Sequence, residues 1–185
     1  MLVDRSVVER AQRGDRDAYE ALVRASSRRL FLTAYRIVHD TDLADDATQG
    51  ALVSMWRELP GLRDPDRFEA WTYRLVVREC LGELRRRRRR GVHLIDAADI
   101  SELGGEDTTQ TDIRDELGRA LRSLSVDHRT VIVLHHYVGL PLTEIAEVLG
   151  VPVGTVGSRM HHAKRSLRAA LDAAERSPII EGQPA

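Results

Sequence analysis

The sequence predicts an all-α protein of two small helical domains joined by an acidic flexible linker, on three observations. Apolar residues recur at three- and four-residue spacing along most of the chain, and no convincing two-residue alternation of the strand type occurs. Aromatic residues make up only 4% against 42% hydrophobic residues overall, so an aliphatic core of Leu, Ala and Val is expected. Between the two periodic stretches, residues 92–111 are rich in Asp, Glu, Gly and Thr and include Gly104-Gly105-Glu106-Asp107, the composition of a tether.

The helices follow in order. Asp4 to Arg13 is a short amphipathic start ended by Gly14. Asp15 to His39 carries Tyr19, Leu22, Val23, Leu30, Ala34, Ile37 and Val38 on its apolar stripe, and Asp42 to Leu59 carries Leu43, Ala47, Leu52, Met55 and Trp56. Pro60-Gly61 breaks the pattern. Asp64 before Pro65 is a start signal, a capping side chain followed by a residue whose missing N–H costs nothing at the first helical position. The helix from Pro65 holds Phe68, Trp71, Leu75, Cys80, Leu81 and Leu84, runs into six arginines, Arg85 to Arg90, and stops at Gly91. Helices resume near Asp112 with Ile113, Leu117, Ala120, Leu121 and Leu124, and continue after Ser125 with Val131, Leu134 and Val138. Two short helices are then expected around a turn at Gly150-Val151-Pro152. Leu142, Ile145, Ala146 and Leu149 form the inward stripe of the first, and Val156, Met160, Ala163 and Leu167 that of the second. Residues 177–185, with two prolines and a glycine, are expected to fray. The expected domains are therefore 1–91 and 112–176, with the linker at 92–111.

Bulk properties narrow the functions. At 185 residues with 31% charged residues, the chain has the make-up of one ordinary or two small soluble domains. No apolar run reaches the roughly 18 residues needed to cross a bilayer. Met1-Leu2-Val3-Asp4 has no basic segment followed by an apolar stretch, so a cytoplasmic protein without membrane insertion is expected. The single Cys80 falls in a helical apolar pattern and is expected to be a buried reduced thiol. Net charge is −1, yet it is unevenly distributed: residues 1–90 hold 19 Arg against 15 Asp or Glu, residues 91–125 hold 3 basic against 8 acidic, and the rest balance. Adjacent histidines, His135-His136 and His161-His162, point about 100° apart on a helix and make a poor ligand pair. With no paired-cysteine or His-Glu-x-x-His spacing, no nucleophile elbow and no phosphate loop, neither metal, cofactor, small-molecule substrate nor enzymatic step is expected.

Two constellations point to nucleic acid. The last pair of helices has the form of a helix-turn-helix, whose second helix presents Thr155, Ser158, Arg159 and His162, with Arg165 beyond, opposite its apolar stripe. Side chains of this kind at a helix start fit the roughly 12 Å major groove of duplex DNA. The helix from Pro65 interleaves Phe68, Trp71 and Tyr73 with Arg67, Arg74 and Arg78, ahead of Arg85 and Arg86 in the arginine run. Aromatic faces stack on unpaired bases and arginines hold phosphates, which suits opened DNA. The plainer alternative places Phe68 and Trp71 in the core and lets the arginines solvate a helix end. Six like charges in a row nonetheless call for a partner of opposite sign.

The residues in this order resemble the extracytoplasmic function class of bacterial RNA polymerase sigma factors, over nearly the whole chain from Asp15 to Leu171. The resemblance rests on AYEALVRASSRRLFLTAYRIVHD (Ala18 to Asp40), DDATQGALVSMWREL (Asp45 to Leu59), FEAWTYRLVVRECLGELRRRRRR (Phe68 to Arg90) and the segment from Leu121 to Arg168. It implies sigma region 2 in the first domain and sigma region 4 in the second. It implies as partners the core polymerase, through a coiled coil of the largest subunit and the flap, then promoter DNA, and an anti-sigma protein. Asp45, Gln49, Leu52 and Trp56 would then dock on the coiled coil. Arg63 and Asp64 in the preceding loop, with the helix from Phe68, would read the melted −10 element, and the helix-turn-helix would read the −35 element as duplex. The linker would run through the polymerase cleft.

Several positions depart from the family pattern. Gly50 stands where an acidic residue is common, Arg78 where asparagine is, and Gly82 where aspartate is. Pro152 replaces a capping serine, Gly157 a basic residue and His162 an arginine. Two rival readings are a sigma mimic that only sequesters an anti-sigma protein and a simple helix-turn-helix repressor. The aromatic and arginine-rich helix disfavours the first, and residues 1–90 are left unexplained by the second.

Overall fold

The computed structural model describes residues 3–89 and 117–176, and every regular element among them is helical. Four helices make the first unit: α1 (Arg5–Gln12), α2 (Arg16–Val38), α3 (Thr41–Glu58) and α4 (Phe68–Arg89), with 3₁₀ turns at Leu59–Gly61 and Pro65–Arg67 between the last two. An aspartate starts α1, α2, α3 and the 3₁₀ turn that leads into α4. The amide of Ser6 donates to Asp4 at 2.8 Å, that of Ala18 to Asp15 at 3.0 Å, that of Leu43 to Asp40 at 3.0 Å and that of Asp66 to Asp64 at 3.1 Å. Each cap satisfies one of the helical N–H groups that lack an intrahelical partner. The core between α2, α3 and α4 is aliphatic: Leu22, Leu30, Ile37, Met55, Leu59, Leu75 and Val76 are all buried. Ala44, Ala47 and Ala51 give α3 a smooth inner face. Beside it, Gly50 leaves room for Glu79 of α4, whose Cγ lies 3.2 Å from where a β-carbon at position 50 would stand.

The second unit comprises α5 (residues 117–122), α6 (Val126–Ile132), a π-helical turn (Val133–Tyr137), α7 (Leu142–Leu149) and α8 (Val153–Arg176). Ser125 caps α6 by accepting the His128 amide at 3.3 Å. Gly150 ends α7 in the left-handed region at φ 65°, a conformation that costs glycine nothing, and so permits the sharp entry into α8. Ile145, Ala146, Val156, Met160 and Ala163 are buried, as their spacing predicts.

Three differences from the expected arrangement have physical causes. α3 begins at Thr41 because Asp40 supplies the cap, and the chain passes from α2 to α3 through two residues, His39, held at φ 52°, and Asp40. The helix expected from Pro65 is 3₁₀ for its first three residues and α-helical from Phe68. The second helix of the helix-turn-helix is not short but runs 24 residues. The expected linker at 92–111, the tail at 177–185 and the expected helix start near Asp112 lie outside the described residues.

The two units also pack on each other, so the apolar core is continuous across them. α4 lies against α7, and α2 against α6 and the π-helical turn. The junction is polar as well as apolar: Arg129 of α6, 4% exposed, donates to the carbonyl of Ile37 at 2.6 Å, and the Arg36 guanidinium covers the Tyr137 ring at 3.7 Å.

Asp40 joins cap and ion pair, since it also pairs with Arg87 at the far end of α4. Burial alone would push its carboxyl up, but the Leu43 amide and the Arg87 guanidinium outweigh burial and hold it below its ordinary 3.8. Because the folded value is the lower one, the stabilisation is complete above pH 3.8 and is lost as pH falls through the folded value. Asp40→Ala should lower the unfolding free energy at neutral pH by about 1–2 kcal/mol, and Asp40→Asn by less, because an amide oxygen still caps. In urea titrations the gap between wild type and Asp40→Asn should close below pH 3.8; a gap that persists into acid would assign the loss to packing.

Candidate nucleic-acid interface

α8 offers one polar face at its start. Thr155, Ser158, Arg159, His162 and Arg165 fall on a single helical stripe, opposite the buried Val156, Met160 and Ala163. Ser158, His162 and Arg165 are exposed, while Thr155 and Arg159 are partly covered. The Ser158 hydroxyl donates to the Thr155 carbonyl at 2.9 Å. Arg159 is tied to Asp127 of α6 at 2.7 Å, and the His162 ring stacks on His128 with centroids 6.1 Å apart. The N-terminus of α6 therefore borders the face that α8 presents. Val153, at the first position of α8, is 46% exposed, and its spacing places it above the buried stripe of Val156 and Met160 and not on this polar face.

α4 is less uniform than its sequence suggests. Phe68, expected on the DNA-reading face, is 2% exposed and belongs to the core, because the turn that starts α4 folds this ring inward beside Trp71. Trp71 and Tyr73 do not share a face either. Trp71 lines a cleft with Leu62, Arg67 and Arg74 on one side and Glu144 and Glu147 of α7 on the other. Tyr73 lies under the guanidinium of Arg29 from α2, 5.0 Å from its ring centroid. Spacing places Trp71, Arg74, Arg78 and Arg85 on one stripe, which is the coherent cationic face of the helix.

The arginines find partners within the chain more often than their run suggests. Arg78 makes a forked pair with Glu58 of α3, with Nη2 donating at 2.7 Å and Nη1 at 3.3 Å, and this pairing raises its pKa. Arg86 pairs with Glu83 and Arg87 with Asp40. The expected external counter-charge is thus partly internal; Arg63, Arg74, Arg85, Arg88 and Arg89 remain exposed. Asp64 is occupied as a cap, as its place before Pro65 implies.

α3 carries the third surface. Asp45, Gln49 and Trp56 are exposed along one stripe, and Leu52 on the same stripe is half-buried, its carbonyl accepting the Tyr19 hydroxyl at 2.8 Å. Trp56 is 51% exposed and meets Tyr19 edge-on at 4.6 Å between centroids, and Val53 beside it is 49% exposed. Val53 was missed because apolar residues are presumed inward when they fall near an amphipathic stripe.

Elsewhere the chemistry is quiet. Burial pushes the Cys80 thiol up to about 12, so it carries no reactive thiolate. Burial, with Arg129, Arg122 and Arg36 nearby, lowers His39 to about 4 and keeps it neutral. Among the described residues no group of three or more His, Cys, Asp or Glu is placed to hold a metal ion, and no helix is long and apolar enough to cross a membrane.

A three-surface helical chain ending in a helix-turn-helix has known counterparts. Residues 22–90 match the family model for Sigma-70 region 2, and residues 114–167 that for Sigma-70, region 4. The chain is 32% identical over 180 residues to the RNA polymerase sigma-H factor of Pseudomonas aeruginosa, covering 91% of this chain and 93% of that one. It is 30% identical over 178 residues to the ECF RNA polymerase sigma-E factor of Escherichia coli strain K12, with 90% and 93% covered. Among solved structures it is similar to CnrH in complex with the cytosolic domain of CnrY, at TM-score 0.65, 28% identity and 92% and 97% coverage. It shares the fold of the sigma factor RpoE in complex with the anti-sigma factor NepR from Bartonella quintana, at TM-score 0.70, 22% identity and 83% and 96% coverage. This chain belongs to the sigma-70 family of RNA polymerase sigma factors, in its extracytoplasmic function class.

To touch DNA, Arg159 must exchange Asp127 for a base or phosphate. Exposed ion pairs are worth about 0.2–1 kcal/mol, so Asp127→Asn should tighten binding to duplex promoter DNA by up to about five-fold in fluorescence anisotropy. Weaker binding would show instead that Asp127 aims Arg159 at its target.

Proposed function

We propose that this chain is a promoter-specificity subunit that binds core RNA polymerase, recognises two separated promoter elements and assists strand opening, with no catalytic step of its own. The carrying observation is the exposed Trp56 and Val53 on α3, with the exposed Asp42, Asp45 and Asp46 about two turns or more earlier on the same helix. A large exposed apolar pair on a solvated helix is suited to a protein partner. Asp45, Gln49, Leu52 and Trp56 would form the docking contact with the coiled coil of the largest subunit, and the second unit would meet the flap.

Thr155, Ser158, Arg159, His162 and Arg165 would read the distant element as duplex, phosphate contacts positioning α8 and base contacts specifying sequence. Trp71 and Arg74, with Arg63 and Arg85, would take the opened strand, Trp71 stacking on an unpaired base. Tyr73 would contribute from the adjoining face, and Arg78 and Arg86 would take part only by releasing Glu58 and Glu83. In this reading residues 1–91 and 112–176 act as the two functional domains in the cytoplasm, with an anti-sigma protein as regulator. The stripe of Trp71 and exposed arginines supports an active factor over a mimic that only sequesters the inhibitor, because a mimic needs no DNA contacts.

Transcription in vitro with purified core enzyme on a genomic promoter library is the deciding measurement. Wild type should direct initiation at a defined promoter set. Arg159→Ala should weaken use of the distant element by about 1–3 kcal/mol if it reads a base. Trp56→Ala should lose assembly with core while the free chain keeps its duplex binding. A chain that binds an operator alone and directs no initiation with core would be a repressor.

A further inference from the structure

We infer that His128 of α6 joins His162 of α8 in a proton-gated phosphate grip on the rim of the duplex-reading face, so that promoter duplex is held more tightly as pH falls. This rests on the duplex-reading role of α8. His162 stands where an arginine is common, so a fixed positive charge gives way to one that depends on pH. Its exposed ring stacks on the half-buried ring of His128, with centroids 6.1 Å apart and planes 19° from parallel. Two rings this close can meet the same phosphate. Among the described residues neither ring engages a hydrogen-bond partner, which leaves their nitrogens to a ligand.

The surroundings do not supply the missing anion. On α8 the neighbours are Arg159, Arg165 and His161, whose ring meets His162 edge-on at 5.7 Å. α6 contributes Asp127, but Arg159 already holds that carboxylate at 2.7 Å. The other elements packed on α6 and α8 turn their charges elsewhere. α7 sends Glu144 and Glu147 to the cleft beside α4, and α2 lays Arg36 on the Tyr137 ring. α5 places Arg122 by His39, and the π-helical turn holds His135 at the Leu140 carbonyl, 2.9 Å away. Imidazole is the side chain that changes charge between about pH 5 and 8. Two charged rings face to face repel each other, whereas a phosphate laid against them attracts both. Proton uptake and phosphate binding therefore favour each other, because coupling between linked sites is reciprocal.

The test uses holoenzyme assembled from the intact chain and core polymerase, with a fluorescein-labelled duplex of a promoter drawn from the initiation library. Anisotropy is read at about pH 6 and about pH 8, over a range of salt. Wild type should bind about five-fold tighter or more at the lower pH, the upper value of one exposed ion pair. The salt dependence should steepen there by about one phosphate contact. His128→Gln alone should lose part of the gain, and His128→Gln with His162→Gln all of it. His162→Arg should bind tighter than wild type at about pH 8 and lose most of the acid gain. His136→Gln, at an exposed imidazole of the π-helical turn, should keep the wild-type response. An acid gain that survives the double substitution would lie elsewhere in the assembly and overturn the grip, as would a wild type without one. A full gain in His128→Gln would remove α6 from the contact and overturn it too. Initiation by the same holoenzyme is followed in parallel. If initiation succeeds and the acid gain is absent, only the grip falls; if no promoter is used at either pH, the duplex-reading role falls and the grip with it.

Discussion

The packing of the two units on each other is built around a buried charge. Arg129 lies almost without exposure between the two units, and burial lowers its pKa to about 10, so it stays protonated at neutral pH. A guanidinium removed from water costs several kcal/mol unless its donors are met. Here the compensation comes from main chain: Nε donates to the Ile37 carbonyl in the last turn of α2, at the negative end of that helix, and Nη1 reaches the Arg122 carbonyl at 3.4 Å. Among the described residues no carboxylate pairs with it, so the contacts described do not depend on an acid remaining ionised. The neighbouring His39, with its Nε2 buried and unpartnered among the described residues, stays neutral and adds no repulsion.

Around that anchor, charge is organised to hold helices together before it meets any partner. Arg78 to Glu58 and Arg87 to Asp40 both stitch α4 to α3 or to its cap. Arg29 presses on Tyr73 and donates to Thr72 at 3.0 Å and Ser26 at 3.3 Å, while two of its nitrogens lie buried without partners among the described residues. The net charge near zero fits this economy: the cations exist in number, but much of their field is spent across the first unit.

Most of the architecture was legible in the residue pattern because helical periodicity, aspartate caps and glycine stops are local signals. The helix-turn-helix was legible for the same reason, down to Gly150 and the stripe of Val156, Met160 and Ala163. What patterning could not supply was contact between elements distant in the chain. Phe68 and Trp71 look alike in sequence, yet one faces the core and the other a cleft, a distinction set by the 3₁₀ turn before α4. The internal partners of Arg78 and Arg87 come from α3 and its cap, which no spacing rule within α4 reveals. Arg129 did leave a trace: it lies three residues after Val126 and four before Val133, on an inward stripe, where a cation signals a buried acceptor.

The long α8 opens with two glycines three residues apart, Gly154 and Gly157, and a β-carbon added at either would touch nothing within 4 Å. Neither is required by crowding, and each weakens the helix relative to alanine by roughly 1 kcal/mol. Together with the small Ser158 they strip one flank of the opening turns down to main chain. In the proposed reading, a groove wall alongside that flank would meet peptide groups instead of bulky side chains, and the helix would trade rigidity for intimacy of approach.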